Sequence, residues 1–231
     1  MKTLLITGGS AGIGAETARR FRDDGYAVVN LSRRPCPVDG VTQIDCDLAD
    51  PGFADALAPE PEPHLGRADR LVVVHNAARM DRDTAGATAP EQMQAVMQVN
   101  VVAPTALNRL CVPAMKPGSA IVYVGSTLSE KAVPGSYSYV TSKHAMVGMM
   151  RATCQDLAGS GIHTVCVCPG FTDTEMLRNH VPAEALDSVR AMSAFNRLID
   201  PAEIAEAIHW SAANPVINGA VIHANLGQVE R

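Results

Sequence analysis

The side chains of this sequence that are best suited to acid–base chemistry are those of Tyr139, Lys143 and Ser126. A tyrosine phenol has an ordinary pKa of about 10, which is high for a group that must exchange a proton at neutral pH. An ammonium group close to the phenol favours the phenolate and lowers that pKa. Because residues four apart on a helix share one face, a helix here would bring Tyr139 and Lys143 together. Such a pair suits a reaction in which a carbonyl becomes an alcohol.

A glycine-rich turn is the second feature with chemical meaning. Residues 7–14 read Thr-Gly-Gly-Ser-Ala-Gly-Ile-Gly and stand between a short apolar run and a helical pattern. Glycine lets the backbone turn sharply and approach a ligand without a Cβ in the way. The helix that follows would point its N–H groups and its positive dipole end at that ligand, which suits a pyrophosphate. The turn and the phenol–amine pair together indicate hydride transfer from a nicotinamide cofactor.

Length and composition describe an ordinary globular protein. The 231 residues are enough for one α/β domain with a buried core, which we expect to span 1–231. Apolar residues make up 47% and charged residues 19%. The net charge is −5 and no basic cluster is larger than a pair such as Arg33-Arg34, so nucleic acid is not an expected partner. No apolar run suits a signal peptide or a membrane span, so we expect a cytoplasmic protein with no membrane partner.

The six cysteines do not form a metal-binding pattern. There is no Cys-x-x-Cys and no histidine pair at ligand spacing, so no metal site is expected. Cys166 and Cys168 alternate inside an apolar run, which predicts that both lie on one face of a strand. Buried, reduced thiols are the simplest interpretation.

Strand and helix patterns alternate along nearly the whole chain. This alternation requires a parallel sheet with helices on both faces, so we predict one doubly wound, Rossmann-type sheet of about seven strands. Pro51 is expected to open a short helix that the Pro/Glu stretch 58–63 ends. The stripe Ala145, Met149 and Ala152 is expected to be the apolar face of its helix. The predicted strands are 4–7, 26–31, 41–44, 70–74, 119–124, 162–168 and 219–223, and the main helices are 12–24, 90–114, 138–157, 172–197 and 201–213.

The order of motifs resembles that of the short-chain dehydrogenase/reductase family over nearly the whole chain. The glycine spacing Gly8-x-x-x-Gly12-x-Gly14 differs from the common dinucleotide fingerprint. The motifs that carry the resemblance are this turn, Asn76-Ala77-Ala78, Asn100, Ser126, Tyr139/Lys143 and Pro169-Gly170-x-x-x-Thr174.

The resemblance implies a role for each residue of the reaction centre. Ser126 would polarise the carbonyl oxygen, and Tyr139 would pass the proton. Lys143 would tune Tyr139 and bind the nicotinamide ribose, and Asn100 would hold a water in the proton relay. Tyr137 has no lysine four residues on, so it is a pocket or packing residue. Relatives often have a second serine before the catalytic one, whereas this chain has Gly125.

The residues after the second strand favour NADP(H) over NAD(H). An NAD site places a carboxylate there to hold the ribose hydroxyls, and this chain has none. The resemblance implies that Ser32 replaces that carboxylate and that Arg33, next to Arg34, meets the 2′-phosphate. Alternatively, both arginines are solvated loop charges. Many NADP-preferring relatives also carry a basic residue where this chain has Ala11.

Further cofactor contacts follow from the resemblance. Asp47 with Leu48 would bind the adenine, although Asp47 also suits a turn ahead of Pro51. His75, where relatives usually have asparagine, is expected to be a packed strand-end residue. The remaining expected cofactor residues are Gly8, Ser10, Gly12, Ile13 and Gly14 at the phosphates, Asn76, Ala77 and Ala78 after the fourth strand, Tyr139 and Lys143 at the ribose, and Pro169, Gly170, Thr172 and Thr174 at the nicotinamide.

The segment from about 172 to 197 resembles the family's substrate lid. Its apolar residues Met176, Leu177, Val181 and Met192 either line the substrate pocket or simply pack. The substrate is expected to be a small-molecule carbonyl or alcohol of unspecified class. The resemblance also implies a homodimer or homotetramer, formed through the helices at 100–114 and 138–157.

Two other functions compete with the enzyme hypothesis. A regulator could bind NADP without turnover, although such a protein has no need of the set Ser126, Tyr139 and Lys143. A larger sugar-nucleotide epimerase is disfavoured because the chain lacks room for a separate substrate domain. The C-terminal Ala224-Asn225-Leu226-Gly227 also departs from the Asp-Gly-Gly of many relatives.

Overall fold

A parallel sheet of seven strands forms the centre of the computed structural model, which describes residues 1–57, 65–66 and 68–228. The strand order is β3-β2-β1-β4-β5-β6-β7, and every neighbouring pair is parallel. This is the predicted doubly wound sheet. The strands are β1 Lys2–Thr7, β2 Ala27–Ser32, β3 Thr42–Asp45, β4 Arg70–His75, β5 Ala120–Val124, β6 His163–Pro169 and β7 Val221–Ala224.

Helices cover both faces of the sheet, as the alternating pattern predicts. Successive residues of a strand point to opposite faces, so Leu5 belongs to one core and Leu4 to the other. The first core also contains Met146, and the second contains Phe21 and Ile208. The helices are α1 Gly12–Asp23, α2 Phe53–Leu57, α3 Pro90–Met97, α4 Ala103–Cys111, α5 Tyr137–Asp156, α6 Glu175–His180, α7 Leu186–Arg190 and α8 Pro201–Ala213.

The strand order reverses between β1 and β4. The chain moves from β1 outward to β2 and β3, then returns to β4 on the other side of β1. A crevice opens at such a reversal, beyond the carboxyl ends of the strands, and it is where doubly wound sheets bind ligands. The glycine turn after β1 and the turn at 76–78 after β4 therefore face the same crevice.

Helix 90–114 is divided by a π-helical turn, which a simple helix prediction does not contain. The turn spans Gln98–Val102, between α3 and α4, and a 3₁₀ turn Val112–Ala114 follows α4. Pro104 has no N–H, so the regular hydrogen-bond pattern of an α-helix cannot continue through this point. Asn100 lies in the middle of the π turn.

Three element predictions need correction. The short helix starts at Phe53 rather than at Pro51, and the stretch 58–63 lies outside the described residues. Segment 172–197 is not one helix, because Pro182 ends helical structure between α6 and the 3₁₀ turn Ala183–Ala185 that precedes α7. The stripe Ala145, Met149 and Ala152 is not the buried face of α5. That face consists of Ser138, Tyr139, Ser142, Lys143, Met146, Val147 and Met150.

The start of α8 generates a pH-dependent prediction. The Arg197 guanidinium and the Asp200 N–H hold the pKa of Glu203 down at about 2. A lowered carboxyl pKa stabilises the fold above the unfolded value, about 4.3, and this stabilisation is lost as the pH falls toward 2. We expect Glu203→Gln to lower the free energy of unfolding at pH 7 by about 1 kcal/mol or less, because the pair is partly exposed.

Urea unfolding at pH 7 and at pH 3 measures this effect. The difference between Glu203→Gln and the unaltered chain should shrink at pH 3. Glu184→Gln, on the 3₁₀ turn Ala183–Ala185, is the control for loss of a carboxylate alone. A difference that stays constant with pH would contradict the assignment.

Candidate active site and cofactor crevice

Tyr139, Ser126 and Lys143 meet in a buried corner beyond the end of β5. The Tyr139 and Lys143 side chains leave α5 one turn apart, and both residues are buried, with 7% and 1% exposed. The Tyr139 hydroxyl faces the Ser126 side chain, which acts to lower the Tyr139 pKa. The Lys143 Nζ lies 5.5 Å from the centroid of the Tyr139 ring and donates to the Val124 carbonyl at 2.7 Å. The helical spacing thus brings the two groups together as predicted.

Burial dominates the titration of both groups. It raises the pKa of Tyr139 to about 12, against the opposing effect of the Ser126 side chain. It lowers the pKa of Lys143 to about 8. The expectation that the ammonium lowers the phenol pKa is therefore not met in this arrangement, in which Nζ donates to the Val124 carbonyl. The phenol is protonated at neutral pH.

The Asn100 side chain ties the π turn to its neighbours. Its Oδ1 accepts from the Arg79 N–H at 2.8 Å, and its Nδ2 donates to the Arg79 carbonyl at 2.9 Å and to the Ser142 Oγ at 2.8 Å. The Ser142 hydroxyl in turn donates to the Tyr139 carbonyl at 2.8 Å. The side chain is thus used for structure. Pro104 removes the N–H that an α-helix would offer to the Asn100 carbonyl, so the main chain is the group suited to a water.

The glycine turn has the geometry of a phosphate cradle. Gly8 and Gly12 have φ values of 70° and 51°, in the left-handed region that favours glycine. A Cβ at Gly14 would collide with the Gly8 carbonyl. Within the described part of the chain, no side chain caps the N-terminus of α1 at Ala11. The first N–H groups of α1 are therefore available to an anion, and the turn fits a pyrophosphate.

Two buried amides hold this turn in place. The Asn30 Oδ1 accepts from the Gly9 N–H at 2.7 Å, and a Cβ at Gly9 would lie 2.6 Å from that oxygen. The Asn76 Nδ2 donates to the carbonyls of Thr7 at 3.0 Å and Gly8 at 3.2 Å. Asn76, expected at the cofactor, thus supports the turn. Asn30 was missed, although a polar residue inside the apolar run of β2 is a visible signal.

The loop after β2 carries two arginines, of which only Arg34 forms an ion pair among the described residues. The Ser32 Oγ donates to the Arg34 carbonyl at 2.6 Å, which shapes the loop. The Arg34 guanidinium pairs with Glu175 of α6 at 3.1 Å, and both side chains are largely exposed. Arg33 is exposed, and no carboxylate among the described residues lies within ion-pair distance of it. Its charge is available to a bound anion.

Asp47, expected at the adenine, forms a turn after β3. Its Oδ1 accepts from the Ala49 N–H at 3.0 Å, which forms the turn ahead of α2. The Asp47 residue is exposed, whereas Leu48 is buried. The Leu48 carbonyl accepts from the Gln98 Nε2 at 3.2 Å. The turn role leaves the second Asp47 oxygen for a ligand.

The loop after β6 forms the opposite wall of the crevice. The Thr172 Oγ1 donates to the Gly170 carbonyl at 3.1 Å, and the Thr174 Oγ1 accepts from the Leu177 N–H at 3.2 Å as the N-cap of α6. The Thr174 methyl lies 3.0 Å from where a Cβ at Gly12 would stand, so this loop faces the glycine turn. Other expected cofactor residues are partly exposed around the crevice: Ser10, Ile13, Ala77 and Ala78.

Comparisons with known proteins agree with this geometry. A family model described as enoyl-(acyl carrier protein) reductase matches residues 8–228. The 2-(R)-hydroxypropyl-CoM dehydrogenase of Xanthobacter autotrophicus is 31% identical, and the alignment covers 96% of each chain. The 3-oxoacyl-(acyl-carrier-protein) reductase MabA of Mycobacterium avium is 28% identical over 98% of this chain and 89% of that protein. A short chain dehydrogenase family protein from Francisella tularensis has a TM-score of 0.90 at 24% identity, with 98% of each chain covered.

The chain belongs to the short-chain dehydrogenase/reductase family. It is therefore an oxidoreductase of a family that binds a nicotinamide cofactor. A blue fluorescent protein from a metagenomic library, solved in complex with NADPH, is a further structural neighbour. Its TM-score is 0.86 at 26% identity, with 97% of each chain covered.

Some polar residues near the family motifs serve structure. His75 is buried, its Nε2 lies 2.8 Å from the Asn108 Oδ1, and burial lowers its pKa to about 4. It is the packed histidine that its position predicts. Tyr137 is 45% exposed and stands at the first turn of α5, away from the buried corner.

The segment 172–197 lies against the loop that follows β4. The Arg82 guanidinium donates to the His180 carbonyl at 2.6 Å, and the His180 Nε2 lies 3.1 Å from the Met80 carbonyl. Met176, Leu177, Val181 and Met192, the candidate pocket residues, are all partly exposed. None of the described helices has both the length and the apolar character needed to cross a membrane.

Asn30 provides a test of how the glycine turn is held. We expect Asn30→Ala to weaken binding of the nicotinamide dinucleotide by about 10-fold and to lower the free energy of unfolding by about 1–3 kcal/mol. The buried Gly9 N–H and Ser32 hydroxyl would lose a partner. Isothermal calorimetry with the dinucleotide measures the first effect and urea unfolding the second.

Asn108→Ala is the matched control, because Asn108 bonds to His75 and Tyr123 away from the crevice. It should cost comparable stability and leave the dinucleotide affinity unchanged. Equal affinity losses in both variants would show that Asn30 acts only through general stability.

Proposed function

We propose that this enzyme interconverts a carbonyl and an alcohol with NADP(H) as the hydride carrier. The observation that carries the proposal is the buried corner in which Tyr139 faces Ser126, with Lys143 one helical turn away. This corner opens beside the crevice between the glycine turn and the loop at Thr174. The names of the two curated relatives, a 3-oxoacyl reductase and a hydroxypropyl dehydrogenase, support chemistry of this kind.

Each residue of the corner has one task in the proposed mechanism. NADPH, when bound, supplies the hydride. The Ser126 hydroxyl donates a hydrogen bond to the carbonyl oxygen and orients it. The Tyr139 phenol, protonated because burial raises its pKa to about 12, gives its proton to that oxygen. The lowered pKa of Lys143, about 8, allows its ammonium to resupply a proton near neutral pH.

The path of the proton beyond Lys143 leads to the π turn. The Asn100 side chain is held by Arg79 and Ser142, so its carbonyl is fixed in position. We propose that this carbonyl holds a water that passes protons from solvent to Lys143. In this proposal the Asn100 side chain fixes the position of the turn, and the Asn100 carbonyl binds the water.

The preference for NADP(H) is also part of the proposal. β2 ends at Ser32, without the carboxylate that would hold two ribose hydroxyls and repel a phosphate. Arg33 is exposed and offers its guanidinium to the 2′-phosphate, and Arg34 stands beside it with Glu175 as its present partner. The NADPH complex of a structural neighbour supports this choice.

The proposal also covers the domain organisation, the substrate lid, the oligomeric state and the cellular environment. We propose that residues 1–231 form one domain and that 172–197 acts as a lid over the substrate. The exposed Val102 and the outer face of α5, including Ala152, offer a surface for a homodimer or homotetramer. The six free cysteines fit a reducing, cytoplasmic environment.

Removal of the Tyr139 hydroxyl tests the proposal that Tyr139 donates the proton. We expect Tyr139→Phe to lower kcat by about 100-fold or more, because the proton donor is lost. The dissociation constant for NADPH should change less than about threefold. NADPH oxidation with a panel of ketones, aldehydes and quinones measures turnover, and fluorescence titration measures binding.

Tyr137→Phe is the control, since Tyr137 lies on the exposed side of the first turn of α5. Retained turnover in Tyr139→Phe would refute the assigned role. Tight NADPH binding by the unaltered chain without turnover on any substrate would instead favour the NADP-binding regulator.

Replacement of Arg33 tests the proposed preference for NADP(H) over NAD(H). We expect Arg33→Ala to weaken NADPH binding by about 10- to 100-fold, because one charge-assisted hydrogen bond to the 2′-phosphate is lost. NADH binding should stay nearly unchanged. Arg190→Ala, an exposed arginine that pairs with Asp187 within α7, is the control. Equal losses for NADPH and NADH would remove the phosphate argument.

A further inference from the structure

Two thiols lie directly behind the loop that carries Ser126. Cys166 and Cys168 point to the same face of β6, both are fully buried, and their Sγ atoms are 3.7 Å apart. β5 pairs with β6 up to Val124, which places the next residue, Gly125, over the two sulfurs. The Gly125 N–H still bonds to the Val167 carbonyl at 2.7 Å, so the contact is part of the sheet edge.

Space, and not backbone conformation, requires glycine at position 125. The φ of Gly125 is not positive, so any residue could adopt its backbone conformation. A Cβ there would lie 2.7 Å from the Cys168 Sγ, 2.8 Å from the Cys166 Sγ and 3.0 Å from the Ser129 Oγ. Sulfur atoms fixed on a central strand cannot move aside easily. The two thiols therefore occupy the volume that a side chain at 125 would need.

The Cys168 sulfur also lies next to the loop itself. Cys166, and after it the neighbouring Ser129 hydroxyl and Ser126 N–H, lower the pKa of the Cys168 thiol against the opposing effect of burial. The Ser126 N–H also reaches the Ser129 Oγ at 3.1 Å, and the Ser126 Oγ accepts from the Leu128 N–H at 3.1 Å. The Cys168 sulfur thus packs against the base of the turn that carries the Ser126 hydroxyl.

We propose that Cys168 is a positioning residue for the reaction, and that Gly125 is the counterpart that leaves room for it. By packing beneath Gly125, Cys168 fixes the main chain that leads into Ser126, so that the Ser126 hydroxyl faces the Tyr139 phenol. This role rests on the proposed function. The titratable groups that face Cys168 are Cys166 on its own strand, Tyr139 and Lys143 on α5, and His223 on β7.

Removal of the sulfur should change turnover more than binding. We expect Cys168→Ala to lower kcat by about 10-fold while KM and the NADPH dissociation constant change less than about threefold. The negative character of Cys168 raises the pKa of Tyr139, so the high-pH limb of the kcat profile should move to lower pH in this variant. Cys168→Ser retains an acceptor and should recover most of the loss.

Cys111→Ala is the matched control, because Cys111 is a buried thiol on α4 in the same core. It should leave kcat and the pH limb unchanged. If Cys168→Ala and Cys111→Ala have the same kcat and the same pH limb, Cys168 has no positioning role and the proposal is overturned.

A thermal double-mutant cycle tests the pairing without any need for turnover. Gly125→Ser in the unaltered chain should lower Tm, because its Cβ meets both sulfurs. In the background Cys166→Ala/Cys168→Ala the same change should be neutral or should raise Tm. Equal Tm losses in both backgrounds would refute the pairing. A chain without turnover on any substrate would remove the proposed function, while this cycle would still decide the pairing of Gly125 with the thiols.

Discussion

The burial of Tyr139 and Lys143 in one corner, facing Ser126, is the constraint on which the rest of the site depends. In that environment a phenol keeps its proton and a lysine gives its proton up more easily, because burial penalises both charged forms. Most other features of the site position the side chains of Tyr139, Ser126 and Lys143 or pack around them. Three features surround this corner: the π turn at Asn100, the thiols behind Gly125, and the hydrogen bond from Lys143 to the Val124 carbonyl.

The sheet supplies the second half of the site by topology alone. Because strand order reverses between β1 and β4, the loops after these strands separate and leave a crevice. Asn30 and Asn76 hold the glycine turn at one wall, and Thr174 stands at the other. The buried corner and the crevice are then neighbours at the carboxyl edge of one sheet. In the proposed function, hydride and proton would reach the same substrate carbon–oxygen bond from fixed positions.

The fold and the shared helix face of Tyr139 and Lys143 were predictable, because both depend on periodicity. Alternation of strand and helix determines the sheet, and the four-residue spacing of Tyr139 and Lys143 determines their shared face. The pKa of Tyr139 was predicted in the wrong direction, because desolvation depends on packing from several elements. The buried face of α5 was missed for the same reason, since Ser142 and Lys143 are polar yet face the core. Asn30 could have been found from its place in an apolar strand.

A crystal structure with NADPH and a carbonyl-bearing inhibitor would test the central claim most directly. The account predicts that the inhibitor oxygen lies within hydrogen-bond distance of both the Ser126 and the Tyr139 hydroxyls, with the nicotinamide ring beside the loop at Thr174. An inhibitor oxygen held by other groups, or a Tyr139 hydroxyl turned away from the crevice, would contradict it.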